Sequence, residues 1–263
     1  MLDRVLSFTA WVVVGFILLP LVVIVGGSFT ERNFVEFPPT GFTLKWYAKL
    51  LSRADFIESF IISLELAAAC TVVALVVGTA AAIGMHRHAF RGREIVQAFV
   101  MSPLVLPTIV TGVALLQYYY AIALDAPFWG LLMGHVIISV PYVVRSVTAG
   151  LMTLGPDVEE AAESLGAGFF RRLFRVTLPM LAPALLVITI FVFIVSFDQV
   201  TVSIFLSGSD LMPLPIRIYT YIDYSIDPMV AAVSTLLILF ACGISVVLQR
   251  TFGLDRAFGV GGR

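Results

Sequence analysis

The chain has 263 residues, of which 60% are hydrophobic and 13% are charged. Soluble domains carry about 25% charged residues, and a mean hydropathy of +1.02 leaves too little polar surface for either a water-soluble globule or a disordered chain. With 16 Lys and Arg against 17 Asp and Glu, the net charge is -1, which excludes the basic field that nucleic-acid binding needs.

Six stretches reach the roughly 20 apolar residues of a membrane span. The first is Phe8–Phe29. Its apolar run exceeds the roughly 7–15 residues of a secretory signal, so an uncleaved span is predicted. The segment 30–58 is long and charged. Within it Leu44, Tyr47, Ala48 and Leu51 fall at helical spacing, which predicts a short amphipathic helix over Thr43–Leu51 on the outer surface. Ser59–Met85 is the second span, and its Ala74, Gly78 and Ala82 form a small face that lets another helix approach closely.

Ile95–Ala123 is the third span, interrupted by Pro103 and Pro107, and Phe128–Gly150 the fourth, interrupted by Pro141. Each proline removes a backbone donor and predicts a bend. Bent helices of this kind belong either to a bundle that moves or lines a pathway, or to ordinary kinked packing. Tyr118, Tyr119, Tyr120 and Trp129 predict an outer aromatic belt. Leu181–Leu206 is the fifth span and Met229–Gln249 the sixth. Between them 207–228 reads as an outer loop with Asp210, Arg217, Asp223, Asp227 and three tyrosines. Cys70 and Cys242 lie inside apolar runs, where two thiols behave as small buried hydrophobes rather than as a disulfide framework.

Lys and Arg concentrate on the cytoplasmic side of membrane proteins. The termini, the 86–94 loop and the 151–180 loop with its entrance hold eleven of them, and the alternate segments hold five. The first set is therefore placed in the cytoplasm, with both termini inside, as six spans require.

The loop over 154–180 carries the most specific pattern. Gly155–Pro156 opens a helix, Pro being tolerated at its first position. Asp157, Glu159 and Glu160 follow in the first turn, where the positive helix end favours carboxylates. Gly166 ends or bends this helix, and a second, basic helix over Phe169–Val176 leads to Pro179. Small side chains beside one acidic edge suit insertion into another protein's groove.

Glu160, Ala161 and Ala162, then Gly166 after three residues, Val176 after nine more, and Leu178–Pro179 reproduce a strict spacing. It resembles the EAA loop of bacterial ATP-binding-cassette importer permeases, with Val176 where that family usually has Ile. The six-span layout extends the resemblance over most of the chain. The resemblance implies an all-α membrane protein of the type I importer permease kind, a single permease domain over 1–263 with coupling helices between spans four and five. It implies that Glu159, Glu160, Ala161, Ala162, Gly166, Ala167, Leu178 and Pro179 serve the coupling to an ATPase dimer. It further implies a second homologous permease subunit, a periplasmic or lipid-anchored solute-binding protein, and a bacterial inner-membrane location. The chain itself is then no enzyme and binds no cofactor, ATP and Mg²⁺ residing on the partner.

Two carboxylates, Glu65 and Asp198, fall inside predicted spans. Ionisable groups there are costly and face a cavity or a partner. They lie about six and eight residues from the outer ends of spans two and five, or roughly 9 and 12 Å deep at about 1.5 Å per residue. Either they line a cation-selective vestibule, or they pair with Arg or polar groups of neighbouring helices. Ser196–Ser209, Pro213–Pro215 and Tyr219–Asp227, together with Ser28–Phe29 and Gly41–Tyr47, resemble the spermidine/putrescine-type permeases. That resemblance implies short polyamine cations as solute and a heterodimer of permease subunits. The same subfamily also includes permeases for other small organic solutes.

No Gly-x-x-x-x-Gly-Lys-Ser/Thr phosphate loop and no His-Glu-x-x-His occur. His86, His88 and His135 do not have the spacing of a zinc site. A self-sufficient ion-coupled carrier is the competing reading, but the prolines are not matched between two halves as such carriers often show, and it leaves the 154–180 pattern unexplained. An intramembrane enzyme has no motif in its favour.

Overall fold

A computed structural model describes residues 2–124, 126–155, 157–208, 210–225 and 227–252, whose regular structure is helical, with no strand among them. Pro156, Arg256 and Arg263, used in the sequence reading, lie outside the described residues. The chain divides into two compact units, Met1–Glu58 with Ile218–Arg263, and Ser59–Arg217.

The first unit holds α1 (Leu2–Gly27), α2 (Lys45–Leu51) and α12 (Met229–Phe252), with the start of α3 (Ala54–Arg87) and the end of α11 (Leu214–Tyr224). The apolar side chains of α1 from Val5 to Leu19 are exposed all round, the composition of a helix solvated by lipid. The expected surface helix forms as α2, two residues later than its pattern begins, because Thr43 Oγ1 accepts the Lys45 amide at 3.1 Å and holds a turn there. It is fastened to the end of α1. Trp46 Nε1 donates to the Thr30 carbonyl at 2.8 Å, and the Ser28 and Tyr47 hydroxyls meet at 2.6 Å. α12 packs on both α1 and α2.

The second unit continues α3 and adds α4 (Arg93–Val105), α5 (Thr108–Ala121), α6 (Pro127–Leu154), α7 (Asp157–Ser164), α8 (Phe169–Arg172), α9 (Leu178–Phe197) and α10 (Ser203–Leu206). Its core joins Leu66, Cys70 and Ala74 of α3, Leu131, Val143, Val147 and Leu151 of α6, and Leu181, Ile188 and Val192 of α9. The small face of α3 works as its spacing predicts. A Cβ on Gly78 would come within 2.6 Å of the Val143 side chain, so the two backbones approach only because that position has none.

Among the described residues four helices are long and apolar enough to cross a membrane, Arg4–Gly27, Ala54–Arg87, Pro127–Leu154 and Phe169–Phe197, and the count is five if α4 and α5 form one broken span. The third predicted span is thus not one bent helix: α4 and α5 meet at 107°. Pro107 makes this break, because the residue before a proline is driven out of the helical region, and Leu106 is extended (φ -77°, ψ 137°). Pro103 makes none. It leaves the Phe99 carbonyl without its helical donor, and the Ser102 hydroxyl takes that carbonyl at 2.8 Å. Pro141 also sits inside a continuous helix. The apolar part of α12, Met229–Ile244, is shorter than a full span within the described residues.

Three further expectations are corrected. The basic helix over Phe169–Val176 does not stand apart. A π turn over Leu173–Thr177 joins α8 to α9, so the helix runs on to Phe197. The fifth span ends at Phe197 instead of Leu206, because 198–202 leave the helix before α10. The 207–228 segment contains α11, with Pro215 in its first turn, where proline is tolerated. Of the two cysteines, Cys70 is buried and Cys242 exposed, both as free thiols.

Candidate coupling surface and solute pathway

α7 has Asp157, Glu159 and Glu160 in its first turn and buries no side chain. Its C-terminus is closed by two backbone bonds, Ala167 N–H to the Ala162 carbonyl (3.0 Å) and Gly166 N–H to the Glu163 carbonyl (2.8 Å). These are the paired bonds of a Schellman cap, which needs a left-handed residue, and Gly166 supplies it at φ +81°. A Cβ there would meet nothing within 4 Å. The glycine is therefore set by backbone conformation and leaves open space beside it. Glu160, Ala161 and Leu165 are exposed beside it, Leu165 at 89%. Phe170 and Phe174, which motif spacing does not mark, are also exposed. Leu178 and Pro179 open α9.

Glu159 differs from its neighbours in sequence. It is mostly covered and turned toward its own chain. Arg87 at the end of α3 donates to its Oε1 at 2.7 Å, and Thr177 in the π turn donates to the same oxygen at 2.8 Å. Arg172 lies 4.0 Å from Oε2 and also pairs with Glu163. These groups line a cleft of about 270 Å³ with Ile83, His88, Phe169 and Leu173.

The two span carboxylates are placed differently from each other. Glu65 is exposed, well inside α3. Asp198 is the exposed C-cap of α9, with no basic residue in the last turn. It therefore lies at the end of a span and not in its interior. A carboxylate at a helix C-terminus opposes the helix dipole, so Asp198 is not there for the stability of α9. Among the described residues neither acid has an ion pair.

In the sequence His135 is one of three scattered histidines. It is 2% exposed on α6, and both of its ring nitrogens are used: Nδ1 meets Ser196 Oγ at 2.8 Å and Nε2 meets Ser203 Oγ at 2.9 Å. The imidazole thus bridges the last turn of α9 and the first turn of α10, on either side of Asp198. Gly134 lets α10 close in, since a Cβ there would come within 2.8 Å of Leu206. The mostly apolar stretch 200–206 gives only a weak signal of this break, in Ser203 within it and Ser196 before it. Of the expected aromatic belt, Tyr118, Tyr120 and Trp129 are exposed, whereas Tyr119 is buried and donates to the Gly130 carbonyl at 3.2 Å.

In the first unit, Asp227 accepts from Tyr221 (2.8 Å) and from Lys49, and its other oxygen takes the Met229 amide at 3.1 Å, capping α12. Burial opposes the Asp227 charge, but the hydrogen bonds from Lys49, Tyr221 and the Met229 amide outweigh it and hold the carboxyl below its usual range. The Asp227 hydrogen bond holds Lys49 above its usual range against burial. Arg53 grips Asp55 at 2.9 and 2.8 Å and lies 5.6 Å over the Tyr221 ring.

Residues 74–253 match the family described as binding-protein-dependent transport system inner membrane component. The chain belongs to that family. Among its curated relatives, the spermidine/putrescine transport system permease protein PotC of Haemophilus influenzae is 30% identical over 91% of this chain and 93% of that protein. The putrescine transport system permease protein PotI of Escherichia coli is 30% identical over 87% and 83%. In fold, this inner membrane component is similar to a chain of a bacterial ABC transporter that imports the acidic polysaccharide alginate, with a TM-score of 0.72, 18% identity, and coverage of 95% of this chain and 97% of that one. The match runs through α7, α8 and α9, so the loop with Glu160, Ala161, Ala162 and Gly166 lies inside the family's own segment.

Proposed function

We propose that this inner membrane component is the permease subunit of a polyamine importer, forming half of the pathway for a spermidine- or putrescine-like cation, with ATP hydrolysed on a partner. The observation that carries the solute class is the likeness to PotC and PotI along nearly the whole chain. The fold does not select the solute, since a similar fold serves an alginate importer. Side-chain chemistry supports the choice. Glu65 and Asp198 are exposed acids on membrane helices without an ion pair among the described residues. Glu65 lies within its helix and Asp198 at the end of one; an acid inside a span needs an aqueous cavity or a neighbouring subunit, and acids lining a vestibule favour cations.

In this reading the whole chain, 1–263, acts as one permease domain of six spans. The α4–α5 pair serves as the third and α12 as the sixth, and both termini lie in the cytoplasm. Glu160, Ala161, Ala162, Gly166 and Ala167 present α7 to an ATPase dimer, Glu159 fixes it from behind, and Leu178 and Pro179 lead the contact into α9. A second, homologous permease subunit covers the exposed helices, and a periplasmic or lipid-anchored binding protein meets the outer segments. ATP and Mg²⁺ are bound by the partner alone.

The test is a solute panel. With its partners in proteoliposomes, the permease is expected to accumulate labelled spermidine or putrescine, with neutral and anionic solutes failing to compete. Competition by an anionic sugar, with no polyamine uptake, would overturn the solute assignment and leave the family standing.

A further inference from the structure

α7 has eight residues and buries none of its side chains, so hydrophobic contact does not hold it. What holds it is polar. Glu159 collects Arg87 from α3 and Thr177 from the π turn that begins span five, both at hydrogen-bond distance to one oxygen. Glu163 is held by Arg172. Among the described residues, Arg87–Glu159 is the ion pair between α7 and α3. Its side chains are only 20% and 14% exposed, so water and salt screen it less than a surface pair. Arg87 Nε is also buried and makes no hydrogen bond, so this guanidinium depends on the carboxylate it reaches. α3 is a 34-residue helix, about 50 Å long at about 1.5 Å per residue, and it carries Glu65.

We propose that Arg87 is a positioning residue for ATP-driven transport: through Glu159 it ties α7 to α3, so that a displacement of α7 moves span two together with span five. Thr177 provides the span-five half of the link and Arg87 the span-two half. The proposal rests on the reading that α7 docks an ATPase, and it adds the route by which docking reaches a span bearing a pathway acid. Arg87 and Glu159 face one another inside the subunit, which separates their role from that of the exposed Glu160, Ala161 and Gly166.

The test uses the complete complex in proteoliposomes and reads two quantities, the ATPase retained on the purified permease and the solute taken up per ATP hydrolysed. Arg87→Gln is expected to retain the ATPase while uptake per ATP falls about 10-fold, within the usual span of a coupling between sites. Arg87→Lys, which keeps the charge, is expected to retain most of the ratio. The exchange Arg87→Glu with Glu159→Arg is expected to bring it back to within about threefold of the starting chain. An unchanged ratio in Arg87→Gln, or a loss of uptake only in proportion to lost ATPase, overturns the link. If the exchanged pair does not reach the membrane, Arg87→Lys decides, and a ratio as low as that of Arg87→Gln overturns it. Failure of the unmutated chain to retain the ATPase overturns the docking reading itself.

Discussion

Gly166 and Asp198 are single positions whose local chemistry makes specific demands. Gly166 closes α7 in a left-handed conformation with open space around it. Asn tolerates that region, whereas other side chains pay about 1 kcal/mol or more there. Gly166→Asn is expected to keep the ATPase on the purified permease and Gly166→Trp to lose it, with membrane insertion intact in both. Retention by the Trp variant would show that the space is not the docking surface. Asp198 sits at the unfavourable end of the α9 dipole, so Asp198→Asn relieves a cost to the helix. It is expected to lower polyamine uptake about 10-fold or more with undiminished abundance, since removing a charge contact is worth roughly 1.5–3 kcal/mol. Equal uptake at equal abundance contradicts its place in the pathway.

At the scale of elements, the break between α9 and α10 depends on His135. Truncation to Ala would take the imidazole from the buried Ser196 and Ser203 hydroxyls, at about 1–3 kcal/mol for each one left unpaired. His135→Ala is expected to lower the thermal midpoint in detergent by several degrees, and Ser203→Ala by less. Equal midpoints would show that the imidazole holds nothing. The contact between α2 and the start of α12 is expected to depend on pH. The Asp227 carboxyl is held below its usual range, so its contribution is present above the ordinary carboxylate pKa and is lost as pH falls through the lowered value. Hydrogen-exchange protection of α2 is expected to drop on acidification below about pH 4, and Asp227→Asn to flatten that dependence. α2, the small face of α3 and the α7 turn at Gly166 were legible because each rests on local spacing or a local backbone need. The α4–α5 break was half legible, since Pro103 and Pro107 look alike until Ser102 is seen to take the carbonyl that Pro103 abandons. The end of α9 was not legible, because 200–206 is as apolar as a span and the reason for stopping lies on α6. α11 was missed because Pro213 and Pro215 read equally as a loop or as a helix start.

For the whole molecule, membrane character came from composition and the family from one spacing, and both survive comparison with relatives that are 30% identical over most of the chain. The division of labour inside the 154–180 loop did not come from spacing. Glu159 and Glu160 are adjacent in sequence, and only the packing of α3 and the π turn turns one toward Arg87 and Thr177 while leaving the other exposed. The central claim is that this chain conducts solute only when a separate ATPase drives it from the cytoplasmic side. The most direct measurement is spermidine uptake into proteoliposomes holding the permease subunits and binding protein, with ATP and the ATPase supplied separately and together. Uptake is predicted only when both are present, with Arg87→Gln uncoupled. Uptake driven by an ion gradient without ATP or the ATPase would contradict the account.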